Sequence, residues 1–340
     1  MFDPQTYYKE ILSKNVNNQI ENLTGNIYQS IDEVVENILL NNQKEFVDAE
    51  IIKNRERLSR ECHKFHAQAD TLSEGVEQSL MNLSDPDVIL IEAAHQPNFL
   101  PYVGYIQKII LMNIISDILS EKGYKVVTLF GFLDSSQMRH RWARSTALMD
   151  FSRKEKKLFL RVPSKNKATT FSHNPVPDNT IVDKWERELI VWIKNNRKII
   201  NKLSRKYEGS PAIDFNKEKF YLENLDIIFN QIRKSSDKSK NFGDFNSIIL
   251  SKIINGNFDK GTLFYNYSDT IHLFKNKFKK IVTEHDLFVE SYNRNFEQLI
   301  SEIKISKEDN FKKIGQDYVP FRYQCNCGFP VSLELSQNNF

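Results

Sequence analysis

Hydrophobic positions fall into helical and strand rhythms that alternate along the chain. Ile31, Val34, Val35, Ile38 and Leu39 recur at helical spacing, so residues 1–83 are expected to be mostly helical. The charged run over 53–79 reads as a solvated helix, or one that packs on a single narrow face. Ser84-Asp85-Pro86-Asp87 marks a turn, and the unbroken apolar Val88-Ile89-Leu90-Ile91 predicts a buried strand over 88–93. Ile109, Ile110, Met112, Ile114, Ile115 and Ile118 predict a buried helix over 106–122, closed by Gly123. Residues 125–133 then read as a second buried strand. Strand, helix and strand at this spacing form a parallel βαβ unit with a right-handed crossover.

Further along, 158–162 reads as a short strand. Trp185, Leu189, Trp192, Ile193, Ile199, Ile200 and Leu203 predict a helix over 180–207, followed by another over 216–235. An apolar helix over 245–254, a strand over 261–267 and a helix over 269–282 repeat the βα pattern, as the far half of the same sheet would. The pattern predicts an α/β fold: a Rossmann-like parallel sheet with a helical N-terminal region. The expected divisions are 1–84 for the helical region and 85–300 for the core, with a helical insertion near 180–240. A small C-terminal tail would occupy 301–340.

Composition narrows the function classes. The 340 residues are 40% hydrophobic and 12% aromatic, enough for a sizeable core. With 47 basic against 44 acidic residues the net charge is only +3, which gives no global argument for nucleic acid or an anionic membrane. No stretch reaches the ~20 consecutive apolar residues of a membrane span. The start, Met1-Phe2-Asp3-Pro4, has no basic and apolar leader, and three cysteines make no disulfide framework. The expectation is a cytoplasmic protein without membrane contact, with the N-terminal helices offering a surface for an oligomer.

Three segments carry candidate chemistry. In Ala94-His95-Gln96-Pro97-Asn98-Phe99-Leu100-Pro101-Tyr102-Val103-Gly104-Tyr105, polar side chains crowd into a proline-stiffened turn after a strand. Open α/β sheets bind ligands at such strand ends. His95 is suited to proton transfer near neutral pH, and Gln96, Asn98 and Tyr102 to ligand binding. The second segment, 132–144, places Asp134 at the end of the second strand, as a base or as an N-cap. Gln137, Arg139, Arg141 and Arg144 follow, the arginines suited to gripping phosphate or carboxylate. His140 and His173 lie near this site in sequence, whereas His272 and His285 read as ordinary helix residues. The third segment is Cys325-Asn326-Cys327-Gly328, half of a zinc knuckle. Cys62, His63 and His66 on the N-terminal helix are the residues available to complete four ligands. Among common motifs, GxGxxG, the Walker loop, GxSxG and HExxH do not occur.

The first segment resembles the WbqC-like family, whose signature is His-Gln-Pro-Asn-Tyr-Leu-Pro-x-x-Gly-Tyr followed by an aliphatic Lys-Ile. It stands here as His95-Gln96-Pro97-Asn98-Phe99-Leu100-Pro101, Gly104-Tyr105 and Lys108-Ile109. The second segment is similar to that family's Phe-Leu-Asp-x-x-Gln stretch at Phe132, Leu133, Asp134, Gln137, Trp142 and Arg144. Together the matches cover about residues 88–148. A broader similarity is to BshC, the cysteine-adding enzyme of bacillithiol synthesis. It lies in the turn, in Gly123-Tyr124-Lys125-Val126-Val127-Thr128-Leu129-Phe130, and in the pattern over 245–282. The acidic run that BshC places after its second strand is absent, Asp134-Ser135-Ser136-Gln137 standing there instead. The resemblance implies a Rossmann-like core of nucleotidyltransferase type.

These readings converge on a biosynthetic transferase or ligase acting on a small anionic substrate, sugar- or nucleotide-activated. His95 and Asp134 would be catalytic. Gln96, Asn98, Tyr102, Gln137, Arg139, Arg141 and Arg144 would bind the ligand. A nucleotide is the cofactor such a site suits, and zinc the metal that Cys325 and Cys327 suit. The competing readings are a non-catalytic metabolite sensor and an RNA-associated protein using the Cys-x-Cys-Gly tail.

Overall fold

Three parallel strands carry the fold: β1 (Ile89–His95), β2 (Val126–Phe132) and, in the order β1-β2-β5, the four-residue β5 (Leu263–Asn266). The computed structural model describes residues 28–42, 49–101, 103–150, 154, 157–162, 168–204, 217–303, 312–324, 327 and 329–334. The chain divides into two units, Asp48–Ile271 with Gln324–Pro330, and Met1–Val47 with His272–Tyr323 and Val331–Phe340.

The sheet unit begins with helices α2 (Ala49–Ala69) and α3 (Glu74–Asn82), while α1 (Ile31–Asn42) belongs to the other unit. α4 (Val103–Glu121) joins β1 to β2, and Ile89 pairs with Val126 through to His95 with Phe132. The pair β2 and β5 runs from Leu129 opposite Leu263 to Phe132 opposite Asn266. The expected βαβ unit is therefore present, and the second βα pattern adds one strand. Between β2 and β5 lie an antiparallel hairpin, β3 (Ser145–Met149) and β4 (Lys157–Arg161), and helices α5 (Asn179–Ser204), α6 (Lys217–Lys238) and α7 (Phe242–Phe258). The strand expected at 158–162 thus pairs with β3 and not with the main sheet.

Alternation along the strands sorts side chains onto two faces. Phe130, Phe132 and Phe264 pack with Tyr105 and Ile109 of α4, Phe65 and Ala69 of α2, and Ile248 of α7. Val127, Leu129, Leu263 and Tyr265 face Cys62 of α2 and Val76 and Leu80 of α3. The charged 53–79 run packs on a narrow stripe, with Cys62, Phe65, His66 and Ala69 buried. A third cluster joins the hairpin to the inserted helices through Phe99, Phe171, Trp185, Phe229 and Phe242.

α2 ends the sheet. His66 is buried, and its Nε2 accepts a hydrogen bond from the Phe264 N–H at 3.0 Å. Accepting there leaves Nδ1 as the protonated nitrogen, which donates to Thr71 Oγ1 at 2.8 Å; Thr71 is in turn bonded to Ser251 Oγ at 2.9 Å. Burial lowers the His66 pKa to about 3, so the ring stays neutral. Burial likewise pushes the Cys62 thiol up. Both residues are core groups in these positions, and among the described residues no group of His, Cys, Asp and Glu could hold a metal ion. Their availability as zinc ligands is corrected by this packing. Cys327 is exposed, and Cys325 lies outside the described residues.

Among the described residues α4 is long and apolar enough, by length and composition, to cross a membrane. Its Tyr105, Ile109, Met112, Ile115 and Leu119 are buried within the protein.

The other unit contains α1, the helices α9 (Lys275–Thr283) and α10 (His285–Ile303), and most of the paired strands β6 (Tyr318–Gln324) and β7 (Pro330–Glu334). His285 is buried, with Nε2 2.7 Å from the Tyr318 carbonyl oxygen, and Phe278 meets Phe321 edge-on at 5.0 Å. His272 falls in a 3-10 turn and is exposed.

Gly261, at the entry to β5, has a φ of +64°, and a Cβ there would lie 2.6 Å from the Gly75 carbonyl oxygen. Both the backbone conformation and the contact exclude a side chain. Gly261→Ala should therefore cost about 2–4 kcal/mol, measured by urea unfolding. An unchanged midpoint would show that α3 moves away freely.

Candidate functional site

The three strand ends deliver His95, the segment leading to Asp134, and Asn266 to one edge of the sheet. The Leu133 N–H donates to the His95 carbonyl at 2.9 Å, so the two expected segments adjoin.

The turn after β1 is held by a phenol. Tyr105, buried on α4, donates its hydroxyl to the Gln96 carbonyl and accepts the Asn98 N–H at 2.8 Å. Asn98 N–H also reaches the Gln96 carbonyl at 2.8 Å. Leu100 has a φ of +52°, a left-handed conformation that costs a bulky residue on the order of 1–3 kcal/mol. Its N–H is anchored by Asn246 Oδ1 at 3.1 Å, and Asn246 Nδ2 is fixed on the Phe242 carbonyl at 2.8 Å. Within this frame Asn98 is 6% exposed, and its Oδ1 is buried without a hydrogen-bond partner. The next residue, Phe99, donates its N–H to the Ala143 carbonyl at 3.2 Å. Arg144 follows Ala143 directly, and its Nε is likewise buried without a partner. An orphan acceptor and an orphan donor thus flank one backbone hydrogen bond.

His95 is half-buried, with its ring 4.6 Å from the Tyr105 ring and its Nδ1 3.1 Å from the Gln96 carbonyl. Donation from Nδ1 makes Nε2 the basic nitrogen. Burial lowers the His95 pKa, the Gln96 carbonyl opposes that shift, and the Lys108 charge adds to it. The ring is neutral at pH 7.

Asp134 is 1% exposed, with its two carboxylate oxygens held by the Ser268 N–H at 2.9 Å and by the Ser268 hydroxyl. Ser268 lies in the single-turn helix α8 (Tyr267–Thr270) that follows β5. α7 approaches so closely that a Cβ at Gly243 would lie 3.1 Å from Asp134 Cβ. With both oxygens engaged by Ser268, the carboxylate is committed within the protein. The geometry gives it a positional role, tying the end of β2 to the end of β5. Burial raises its pKa from 3.8 to about 6; the Ser268 hydrogen bonds oppose the shift and the Asp269 charge adds to it.

The other candidates separate. Gln137 donates its amide to the Ala168 carbonyl at 2.9 Å and braces the 168–170 segment instead of facing a ligand. Arg139 is exposed. Arg141 stacks over Phe159, with its guanidinium carbon 4.0 Å from the ring centroid. His140 is exposed and stacks on Trp142 at 5.0 Å, and His173 Nδ1 lies 3.2 Å from Thr170 Oγ1. Tyr102 lies outside the described residues.

Sequence reasoning missed the supporting layer. Asn266 Nδ2 donates to Asp244 Oδ1 at 2.9 Å, and Ser247 Oγ donates to Asn266 Oδ1 at 3.0 Å. Asp244 Oδ2 accepts the Lys240 N–H at 3.1 Å and Gln68 Nε2 at 3.3 Å, and burial raises its pKa. The signal was Asp244, Asn246 and Ser247 interrupting an otherwise apolar helix.

No protein-family profile matches the chain, and no curated protein sequence matches it.

Two outcomes test this geometry. Tyr105→Phe should cost about 1–2 kcal/mol and speed hydrogen exchange at the Asn98 amide. Unaltered exchange would remove the phenol from its anchoring role. For Asp134, the folded protein favours the protonated form. That contribution is complete below about pH 3.8 and is lost as pH rises through about 6. Asp134→Asn cannot ionise and retains an acceptor for the Ser268 N–H. Relative to wild type, the variant should gain about 2–3 kcal/mol between about pH 4 and pH 7.5 in paired urea melts. A difference that stays constant across that range would contradict the raised carboxyl.

Proposed function

We propose that the turn over 95–98 binds a small anionic metabolite bearing hydroxyl groups, sugar- or nucleotide-activated. The protein is then a biosynthetic transferase or ligase that joins this metabolite to an amine or thiol. One observation carries the reading: the Oδ1 of Asn98, buried and unpartnered at the carboxyl edge of a parallel sheet. A buried acceptor left unmet costs about 1–3 kcal/mol, and a ligand hydroxyl or amine would satisfy it. The Arg144 Nε, likewise buried and unpartnered, asks for an acceptor, which an anionic oxygen supplies. Ligands of open α/β sheets sit at this edge, and the sheet is read here as a reduced Rossmann-like core. The resemblance of 88–148 to WbqC-like proteins, and of the core to BshC, supports the same class of substrate.

In this mechanism His95 Nε2 accepts the proton of the attacking amine or thiol. The nucleophile's lone pair forms the new bond to the activated centre. The bond to the leaving group breaks with its electron pair, and the departing anion is met by Arg144. Asp134 acts at a distance, by fixing the ends of β2 and β5.

A thermal-shift screen with sugar phosphates, nucleotide sugars and nucleotides tests the proposal. One class should raise the melting temperature of the wild type but not of Asn98→Ala or Arg144→Gln. His95→Ala should keep the shift and lose product formation with amine or thiol co-substrates. A shift indifferent to Asn98 would place the ligand elsewhere. Binding that Asn98 governs, with no turnover across amines and thiols, would make the protein a sensor and end the enzymatic reading.

A further inference from the structure

A recess of about 260 Å³ opens on the hairpin and α5, lined by Phe159, Arg161, Lys184, Trp185 and Glu188. Of its two cations, Arg161 is set in place before any ligand arrives. The Phe159 ring carries two guanidiniums, Arg141 at 4.0 Å and Arg161 at 4.7 Å from its centroid. Stacking on one ring restrains both side chains and holds two like charges near each other. The wall is rigid as well, because the Trp185 indole N–H donates to the Arg161 carbonyl at 3.0 Å and its ring packs against Phe99 at 4.7 Å.

Positive charge exceeds negative charge around the recess. Among the described residues, Arg141, Arg161 and Lys184 form no ion pair. The nearby carboxylates of α5 are committed elsewhere: Asp183 and Glu186 both bond Arg233 of α6. That leaves Glu188 as the one acidic residue in the lining, against Arg161 and Lys184, with Arg141 beside them. The volume falls just under the range of whole-metabolite sites, about 300–1,000 Å³. It suits the charged head of a larger molecule. Guanidinium pairs match the oxygens of a phosphoryl group bidentately, and an ammonium adds a point charge.

We propose that this recess is an anion site for the phosphoryl group of a phosphorylated ligand, separate from the sheet edge. The arginine-rich segment after β2 then serves two places, with Arg144 at the sheet edge and Arg141 at the recess. Phe99, one residue from Asn98, touches the recess wall at Trp185, so the two places share one packed layer.

The test is calorimetric titration of the full-length protein with inorganic phosphate and pyrophosphate, using acetate at matched ionic strength as the control. Saturable binding is expected, tighter for pyrophosphate, with acetate not competing. Arg161→Gln and Lys184→Gln should each weaken it about tenfold, and Glu188→Gln should strengthen it. Arg144→Gln should leave it in place, which separates the recess from the sheet edge. The Trp185 hydrogen bond uses the backbone of residue 161, so these variants should keep the wild-type melting temperature. Absence of saturable binding, or binding that survives Arg161→Gln combined with Lys184→Gln at an unchanged melting temperature, overturns the proposal. Loss with Arg144→Gln alone would assign the phosphate to the sheet edge and likewise refute the recess.

Discussion

The hydrogen bond from the Phe264 N–H to His66 Nε2 decides where the sheet stops. β5 is bonded to β2 on one side, and its other side would invite a further strand. An imidazole from α2 takes the outward N–H instead. The exchange works only while the ring is neutral, and burial in an apolar layer of phenylalanines keeps it so. With the β5 side capped in this way, the three strands among the described residues present a narrow carboxyl edge. His95 and Asn266 are brought to that edge by register, and Asp134 by its bonds to Ser268.

At that edge the chain accepts local cost for position. Asp134 and Asp244 are buried carboxyls whose pKa values burial raises, and Asp269 adds like charge to both. Leu100 occupies a left-handed conformation. Each is held by partners from another element: Ser268 for Asp134, Asn266 for Asp244, Asn246 for Leu100. The result is a turn whose Asn98, Phe99 and Leu100 N–H groups are all engaged while one side-chain oxygen, on Asn98, is not. That contrast distinguishes the turn from an ordinary proline-rich connection.

Much of this was legible in the chain. The runs over 88–93, 106–122 and 125–133 have the length and apolarity of strand, helix and strand, and β1, α4 and β2 follow them closely in extent, although Ile110 and Ile114 of α4 and Glu92 of β1 are exposed where burial was expected. The meeting of the 95–98 turn with the 132–144 segment followed from a parallel βαβ unit. Other features were not legible, because they depend on pairs distant in sequence. Ser145-Thr146-Ala147-Leu148-Met149 has no strand-like alternation strong enough to show that it pairs with 157–161. Gln137 is as plausible a ligand group as Asn98 until the Ala168 carbonyl is placed against it. His66 has the look of a metal ligand in Cys-His-x-x-His until Phe264 is known to face it. Asp134 reads as an exposed base until Ser268 closes over both its oxygens.

The wide separation of β2 and β5 also sets an order of assembly. β1, α4 and β2 are continuous in the chain and can associate through local contacts as soon as they are made. The partner of Asp134 is residue 268, and the partner of His66 is residue 264. Both arrive only after the hairpin and three long helices have been synthesised. Until then β2 presents a bare edge, and two polar groups destined for the interior remain in water. Competence at the carboxyl edge is therefore a late event in the life of each new chain, gated by a strand of four residues.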